Sequence, residues 1–397
     1  MIVKFQDSGN EKKIVIDGVS RAKCIIIEGY QLLQNQERKK YISVVELNSS
    51  DDCITRKMLE GFKNITKITI PYGVSKIGVG AFRNMQSLKN VEIPDSVCII
   101  EKEAFKQCSA LKMIDLKSVL SIEEGAFFRC ENLRQVVMNK VVFIGNNAFR
   151  CCTSLDNVRI TESTVVIEEY AFRACKNLRN ITLGISLKEI GSYAFSHCEG
   201  LTEIELPFSL KRIGAGAFTL CSNLKKITIP ENVTRIRPNT FSLCKALENV
   251  QIKGNLKHIG KDAFSYCTSL KEINLPNTVM KIDKDAFAAC CSLEKVIIPK
   301  DLEHINYGTF NCCENLKEVK FNEKIKSIGK NAFRSCTLLD NVNIPQSVLK
   351  IKAAAFCNCR NLNTLVISSS VKYIGRNAFY DISGKNLINN SACNIKF

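Results

Sequence analysis

Residues 194–216, AFSHCEGLTEIELPFSLKRIGAG, are followed at once by a second copy of the same pattern. That copy, AFTLCSNLKKITIPENVTRIRPN, occupies residues 217–239 and has the same length. Each copy runs from Ala-Phe through a Cys three residues later to a Leu, an aliphatic alternation, a Pro and a second aliphatic pair. A pattern repeated at a fixed period of this size predicts one continuous repeat array, not a set of separate globular domains.

The Phe of this pattern recurs every 22 or 23 residues through fourteen copies. Its positions are Phe82, Phe105, Phe127, Phe149, Phe172, Phe195, Phe218, Phe241, Phe264, Phe287, Phe310, Phe333, Phe356 and Phe379. A degenerate copy, LEGFKNITKITIP, precedes them at residues 59–71. The array therefore accounts for most of the chain.

Within each copy the aliphatic residues six, nine and eleven positions after the Phe predict a short strand with an inward face. The second half carries another inward pair, such as Val97 and Ile100, and a Gly that often follows the Ile is expected to allow a turn. One such unit cannot bury its own apolar face, whereas stacked units can. We therefore predict a mainly β, or α/β, repeat solenoid: a curved rod of about fourteen 23-residue repeats with a concave parallel β-sheet.

The combined pattern IPxSVxxIGxxAFxxCxxLxx resembles the BspA-like, or Treponema-type, leucine-rich repeat family over about residues 60–380. The resemblance implies a leucine-rich repeat solenoid without catalytic residues. It also implies an adhesion-type protein that binds other proteins at a cell surface or a membrane. The opening residues MIVKFQDSGNEKK lack the apolar run of a secretory signal, so a cytoplasmic location stays an alternative.

Three regions are expected along the chain. Residues 1–58 are predicted to cap the solenoid, with a hairpin in IVKFQDSGNEKKIVIDG, a helix from Ser20 to about Gln36 and a strand in YISVVEL. Residues 59–380 form the solenoid, and residues 381–397 form a C-terminal tail.

The chain has twenty cysteines, and their spacing argues for a structural role. Twelve lie three residues after the repeated Phe: Cys108, Cys130, Cys152, Cys175, Cys198, Cys221, Cys244, Cys267, Cys290, Cys313, Cys336 and Cys359. In stacked units they would form one internal column of small hydrophobic side chains. No paired Cys-x2-Cys motif with zinc-site spacing occurs, so we expect neither a metal nor another cofactor.

No catalytic set is apparent in the sequence. The three histidines, His197, His258 and His304, occupy ordinary repeat positions where other copies carry different polar residues. No nucleophile-elbow or metalloprotease motif is present. We therefore expect the protein not to be an enzyme.

Outward positions on the predicted concave strand lie seven, eight and ten residues after the Phe and carry both charge signs. The candidate protein-binding residues there are Lys89, Glu92, Arg179, Glu203, Glu205, Lys225, Lys226, Lys317 and Lys320. A mixed surface suits protein recognition better than binding to a phosphate backbone. The expected partner is a protein, either a host or matrix component or an intracellular protein.

The formal net charge of +17 comes largely from positions six and seven residues before the Phe in the later repeats. The candidate anion-binding ridge consists of Lys188, Lys211, Arg212, Arg235, Lys257, Lys281, Lys326, Lys350 and Lys372. One interpretation is a solvated surface; the other is a site for acidic protein or an acidic membrane. Nucleic acid is disfavoured, because few aromatic residues are interleaved there.

The C-terminus carries a possible lipid attachment site. Cys393 is fifth from the end, one position away from a prenylation box. Lipidation there, together with the basic ridge, would supply the two signals that stable membrane attachment requires. The alternative function is therefore a cytosolic scaffold attached to acidic membranes.

Overall fold

The structure, a computed structural model, describes residues 2–8, 11–18, 44–49, 52–59, 62 and 64–393. The chain forms two compact units, Met1–Leu187 (unit 1) and Lys188–Phe397 (unit 2). Apart from an antiparallel hairpin at the start of unit 1, both units consist of parallel-stranded turns, about 15 in total, which confirms the predicted repeat solenoid. In the described residues the only helix is a 3-10 turn, Arg56–Leu59, so the mainly β form of the prediction is the one observed.

Each turn contributes to two ladders of strands in unit 1. The long-strand ladder begins with a hairpin and then follows the positions about eight to eleven residues after each Phe. Its strands are Ile2–Ser8, Glu11–Gly18, Val44–Ser49, Lys67–Thr69, Asn90–Glu92, Met113–Leu116, Gln135–Met138, Asn157–Arg159 and Asn180–Thr182. The short-strand ladder has two-residue strands: Cys53–Ile54, Lys76–Ile77, Ile99–Ile100, Ser121–Ile122, Phe143–Ile144 and Val166–Ile167.

Unit 2 has the same two ladders. Its long strands are Lys226–Ile229, Asn249–Ile252, Lys295–Ile297, Glu318–Lys320, Asn341–Asn343, Thr364–Ile367 and Asn386–Asn389, with single bridges at Glu203 and Glu272. Its short strands are Glu189–Ile190, Arg212–Ile213, Arg235–Ile236, His258–Ile259, Lys281–Ile282, His304–Ile305, Ser327–Ile328, Lys350–Ile351 and Tyr373–Ile374.

The register of the ladders places equivalent positions of successive turns side by side. Ile68 pairs with Val91 in the long-strand ladder, and Ile77 pairs with Ile100 in the short-strand ladder. Because pairing is parallel and in register, every repeat position becomes a column along its unit. Inward columns form the core, and outward columns form continuous surfaces.

The repeated Phe forms a column of stacked rings inside each unit. Neighbouring ring centroids are 4.9–5.2 Å apart from Phe82 to Phe172 in unit 1. They are 5.1–5.5 Å apart from Phe195 to Phe379 in unit 2. All of these rings are fully buried, so the Phe column lies at the centre of the core.

The turn around each Phe contains two left-handed residues. Residues two positions before and two positions after the Phe have φ between 52° and 65° in every copy, as at Ala354 and Asn84. Gly, Asn and Asp occupy ten of the fourteen preceding positions, because these residues tolerate this conformation best. The Phe is therefore held between two tight bends of the backbone.

The glycine that follows the short strand has a role beyond the one expected. At Gly214 and Gly375, φ lies outside the left-handed region. An added Cβ would overlap the backbone nitrogen of Ser192 or of Ala353 in the preceding turn. A turn does begin at each of these glycines, since Ala217 N–H donates to Gly214 O and Ala378 N–H donates to Gly375 O. What requires Gly there, however, is the close approach of neighbouring turns.

The ends of the chain extend the long-strand ladder. Ile2–Ser8 and Glu11–Gly18 form the predicted hairpin, and the second strand pairs in parallel with Val44–Ser49, where the strand in YISVVEL was expected. Asn386–Asn389, which lies inside the predicted tail, pairs with Thr364–Ile367 of the preceding turn. The tip of the hairpin and the helix predicted from Ser20 to Gln36 lie outside the described residues. The division at residues 58 and 380 stays a prediction.

Candidate functional site

The outward positions of the long-strand ladder form the first candidate surface, which we call the long-strand face. All nine residues predicted for it are exposed: Lys89, Glu92, Arg179, Glu203, Glu205, Lys225, Lys226, Lys317 and Lys320. Their inward neighbours, such as Ile204 and Ile227, are buried. Backbone pairing with adjacent turns therefore holds these polar side chains in a fixed register on each unit.

In unit 2 the charges of this face alternate from turn to turn. Lys226 Nζ lies 2.8 Å from Glu203 Oε2, and Lys317 Nζ lies 3.0 Å from Glu294 Oε2. The hydrogen bond from Lys226 lowers the pKa of Glu203, and the same contact raises the pKa of Lys226. Exposed pairs of this kind contribute little to stability, so the charge pattern is available for recognition.

In unit 1 the long-strand face carries asparagine side chains as well as ion pairs. Glu92 pairs with Lys67 at 2.6 Å, and Arg179 Nε lies 3.9 Å from Asp156 Oδ1. A shallow depression nearby is lined by residues of three turns, including Asn157 and Asn180, whose side-chain amides are joined by a 2.8 Å hydrogen bond. These asparagines were not singled out from the sequence. The available signal was that Asn occupies the position eight residues after the Phe in five copies.

The predicted basic ridge lies on the short-strand ladder of unit 2, and all nine of its cations are exposed. Three of them pair with carboxylates: Arg212 with Glu189 at 3.0 Å, Lys281 with Asp283 at 3.1 Å and Lys326 with Glu303 at 2.9 Å. Within the described part of the chain, the other six have no ion-pair partner: Lys188, Lys211, Arg235, Lys257, Lys350 and Lys372. The ridge is therefore positive but partly neutralised.

The twelve repeat cysteines form the predicted buried column, and each is fully buried. Each thiol for which the contact is described donates to the carbonyl oxygen of the Phe one turn earlier, as Cys130 does to Phe105 at 3.0 Å and Cys267 to Phe241 at 3.2 Å. Burial raises the pKa of Cys130, Cys221 and Cys359 to about 12. These thiols are protonated core groups at neutral pH and poor nucleophiles.

The histidines contact side chains of their own or neighbouring turns. His258 Nε2 lies 2.7 Å from Asp283 Oδ2, His304 Nδ1 lies 2.9 Å from Ser327 Oγ, and His197 contacts Ser196. Burial alone would raise the pKa of Asp283, but hydrogen bonds from His258 and Lys281 hold it below its usual value. Over the described residues, no group of three or more His, Cys, Asp or Glu side chains could hold a metal ion.

Cys393, the predicted lipid attachment site, is half-buried at the end of unit 2. Its thiol points toward the carbonyl oxygen of Val371, 3.6 Å away, and its own carbonyl accepts a hydrogen bond from Asn389. A search of the described residues for a helix long and apolar enough to cross a bilayer finds none.

The array matches a family model for the BspA-type leucine-rich repeat region in three overlapping stretches, residues 52–179, 142–271 and 257–386. No curated protein matches the chain significantly. A leucine-rich repeat protein from Bacteroides ovatus, 24% identical, has a similar fold with a TM-score of 0.50, covering 96% of this chain and 91% of that one.

A leucine-rich cell surface protein from Faecalibacterium prausnitzii is also 24% identical, with a TM-score of 0.46 and coverage of 96% and 97% of the two chains. The pneumococcal vaccine antigen PcpA is 18% identical, with a TM-score of 0.42 and coverage of 98% and 96%. The family model spans most of the repeat array, far more than half of the chain. The chain therefore belongs to the BspA-type leucine-rich repeat family.

Proposed function

We propose that the chain is a non-enzymatic binding protein that recognises a protein partner through its long-strand face. The observation that carries this proposal is the set of exposed charged side chains held in register on that face. Leucine-rich repeat proteins are generally non-enzymatic binding scaffolds, which supports the proposal at the level of the class.

The chemistry of the face favours a protein over a uniform polyanion. Positive and negative side chains alternate between adjacent turns, as in the Lys226–Glu203 and Lys317–Glu294 pairs. The glutamates of this pattern would repel a phosphate backbone. A folded protein, in contrast, can place a complementary charge opposite each Lys and each Glu. Because the parallel ladder already fixes the backbone, little backbone conformational entropy is lost when a partner binds.

The test replaces Glu203, Glu205, Lys225 and Lys226 by Ala, which removes two acids and two bases and leaves the net charge unchanged. The immobilised full chain is incubated with extract of its source cells, and saturably captured proteins are quantified. We expect the four-residue variant to lose the captured partner by about a hundredfold in affinity, because several central contacts disappear together.

The matched control is a second charge-neutral variant, in which Glu189, Arg212, Glu303 and Lys326 on the short-strand ladder are replaced by Ala. We expect this control to retain the partner. Equal capture by the wild-type chain and the long-strand variant would contradict the proposal.

A second candidate is a scaffold attached to acidic membranes by the basic ridge, with or without a lipid on Cys393. Six exposed ridge cations without ion-pair partners in the described part of the chain favour it. Each basic side chain near an anionic bilayer contributes about 1 kcal/mol.

We expect cosedimentation with vesicles that contain phosphatidylserine, and its loss when Lys188, Lys211 and Lys257 are replaced by Gln. The attraction should weaken as salt rises, because exposed charges are screened. Equal binding to neutral vesicles, or binding insensitive to salt, would reject this candidate.

The two candidate functions imply different cellular locations for the protein. We propose a cell-surface location on the strength of the family, with a cytoplasmic location as the alternative. Labelling of intact cells with a membrane-impermeant reagent distinguishes the two.

A further inference from the structure

Side chains from successive turns of unit 1 meet on its surface in a group of cations and rings. The Phe128 ring has three cations over it: Lys106 Nζ at 5.4 Å, Arg129 at 5.6 Å and Arg150 at 5.6 Å from its centroid. The Tyr170 ring has Arg150 at 5.8 Å and Arg173 at 5.4 Å. We call Lys106, Phe128, Arg129, Arg150, Tyr170 and Arg173 the arginine–aromatic cluster.

Arg150 is the central residue of the cluster, because its guanidinium contacts both rings. Its Nη1 donates to Asn147 Oδ1 at 3.1 Å, while its Nε is buried without a hydrogen-bond partner among the described residues. Cation–π contacts with two rings restrain the guanidinium in advance of binding. A ligand therefore meets an oriented donor and not a mobile one.

The charge of the cluster is neutralised at one end only. Glu103 lies 2.6 Å from both Lys106 and Arg83, and the hydrogen bond from Lys106 lowers the pKa of Glu103. Arg129, Arg150 and Arg173 have no carboxylate partner in the described part of the chain. Three guanidiniums in neighbouring turns thus form an unneutralised positive patch.

The geometry selects the kind of anion. Cations lie over both rings, so the rings are poor platforms for stacking nucleobases. The guanidinium N–H groups that are neither buried nor bonded within the chain remain as donors, and a guanidinium fork matches a carboxylate in a bidentate arrangement. The Phe ring centroids of neighbouring turns are 5.1–5.2 Å apart here. Same-face side chains of an extended peptide are roughly 6.7 Å apart. Long arginine side chains can bridge the difference between these two spacings.

We propose that the arginine–aromatic cluster binds an extended acidic peptide segment of a partner protein, with side-chain carboxylates on Arg129, Arg150 and Arg173. This site is separate from the long-strand face. The four-residue long-strand variant therefore leaves peptide binding unchanged, and each proposal can fail without the other.

The experiment measures fluorescence anisotropy of a labelled octaglutamate peptide at low salt, with octaglutamine as the neutral control. The full chain is used with its six unpaired ridge cations, Lys188, Lys211, Arg235, Lys257, Lys350 and Lys372, replaced by Gln, so that the ridge does not contribute. We expect Arg150→Gln to weaken octaglutamate binding about tenfold or more, because a charge-assisted hydrogen bond is lost. Arg150→Lys weakens it as well, since Lys lacks the planar fork.

Two further variants separate a built site from bulk charge. Phe128→Leu keeps every charge and should still weaken binding, because the ring orients the guanidiniums. Arg334 occupies the same repeat position in unit 2, is exposed, and has no ring contact among the described residues, so Arg334→Gln should change binding less than about twofold.

The proposal is overturned if Arg334→Gln weakens binding as much as Arg150→Gln, or if octaglutamate does not bind at low salt. Cluster-dependent preference for oligothymidylate over octaglutamate would also overturn it, in favour of nucleic acid. Circular dichroism melts of each variant confirm that the compared proteins are folded.

Discussion

Replacement of Phe264 by Ala is expected to lower the free energy of unfolding by about 3–5 kcal/mol. The ring is fully buried and stacks on Phe241 at 5.4 Å and on Phe287 at 5.3 Å. Its removal opens a cavity in a close-packed column and ends both ring contacts, each worth about 0.5–1.5 kcal/mol beyond the buried area. Urea denaturation followed by circular dichroism measures the loss.

The matched control is Phe208→Ala, since Phe208 is 74% exposed in the same unit. That variant should change stability by less than about 1 kcal/mol. If the two variants lose equal stability, the Phe column is not the centre of the core, and the assignment of the core would be wrong.

Raising the pH from 8 to 11 is expected to unfold the protein through its buried thiols. In the folded state burial holds the pKa of Cys130, Cys221 and Cys359 at about 12, and the pKa of Cys244, Cys267 and Cys313 is also well above its usual value. In the unfolded chain these thiols ionise near the ordinary cysteine pKa of 9.0. The unfolded state therefore binds fewer protons above pH 9, and stability is present below that pH and lost as pH rises.

Each such thiol lowers the free energy of unfolding by about 1.4 kcal/mol per pH unit between its two pKa values. Summed over the thiols of the column, the loss of unfolding free energy exceeds the roughly 5–15 kcal/mol stability of an ordinary domain after a rise of one or two pH units. Urea titrations at pH 7, 8, 9 and 10 should show constant stability at the two lower values and a steep fall above them.

Cys221→Ala removes one titrating group and should reduce this slope by about 1.4 kcal/mol per pH unit. Leu224→Val, at a fully buried position of the same turn, should lower stability while leaving the slope unchanged. A wild-type chain whose stability does not vary between pH 8 and 10 would contradict the buried thiol column.

The long-strand ladder and the buried cysteine column could be predicted from the sequence. The same aliphatic alternation and the same Cys position recur in each copy, as at Leu224 and Cys221. The sequence did not predict the short-strand ladder. Strands such as Arg235–Ile236 have two residues, too short for alternation to identify. The role of Gly214 was also missed, because the approach of Ser192 is a contact between turns that spacing within a copy does not reveal.

Exposure of the candidate residues was predictable, but their pairing was not. Lys226 and Glu203 are 23 residues apart, and their contact depends on the register of the ladder. The arginine–aromatic cluster was missed for the same reason. Tyr170 lies two residues before a repeated Phe and Arg150 one residue after another, so their contact appears only when turns are stacked.

We expect a protein partner to bind at the long-strand face. Site-specific photo-crosslinking tests this expectation, with a benzophenone amino acid placed singly at Lys226 and Lys317 on that face and at Lys257 on the ridge. After irradiation in extract of the source cells, we predict one protein adduct of the same identity at Lys226 and Lys317, abolished by excess unlabelled wild-type chain, and none at Lys257. Saturable adducts at Lys257 alone, with none on the long-strand face, would contradict the account.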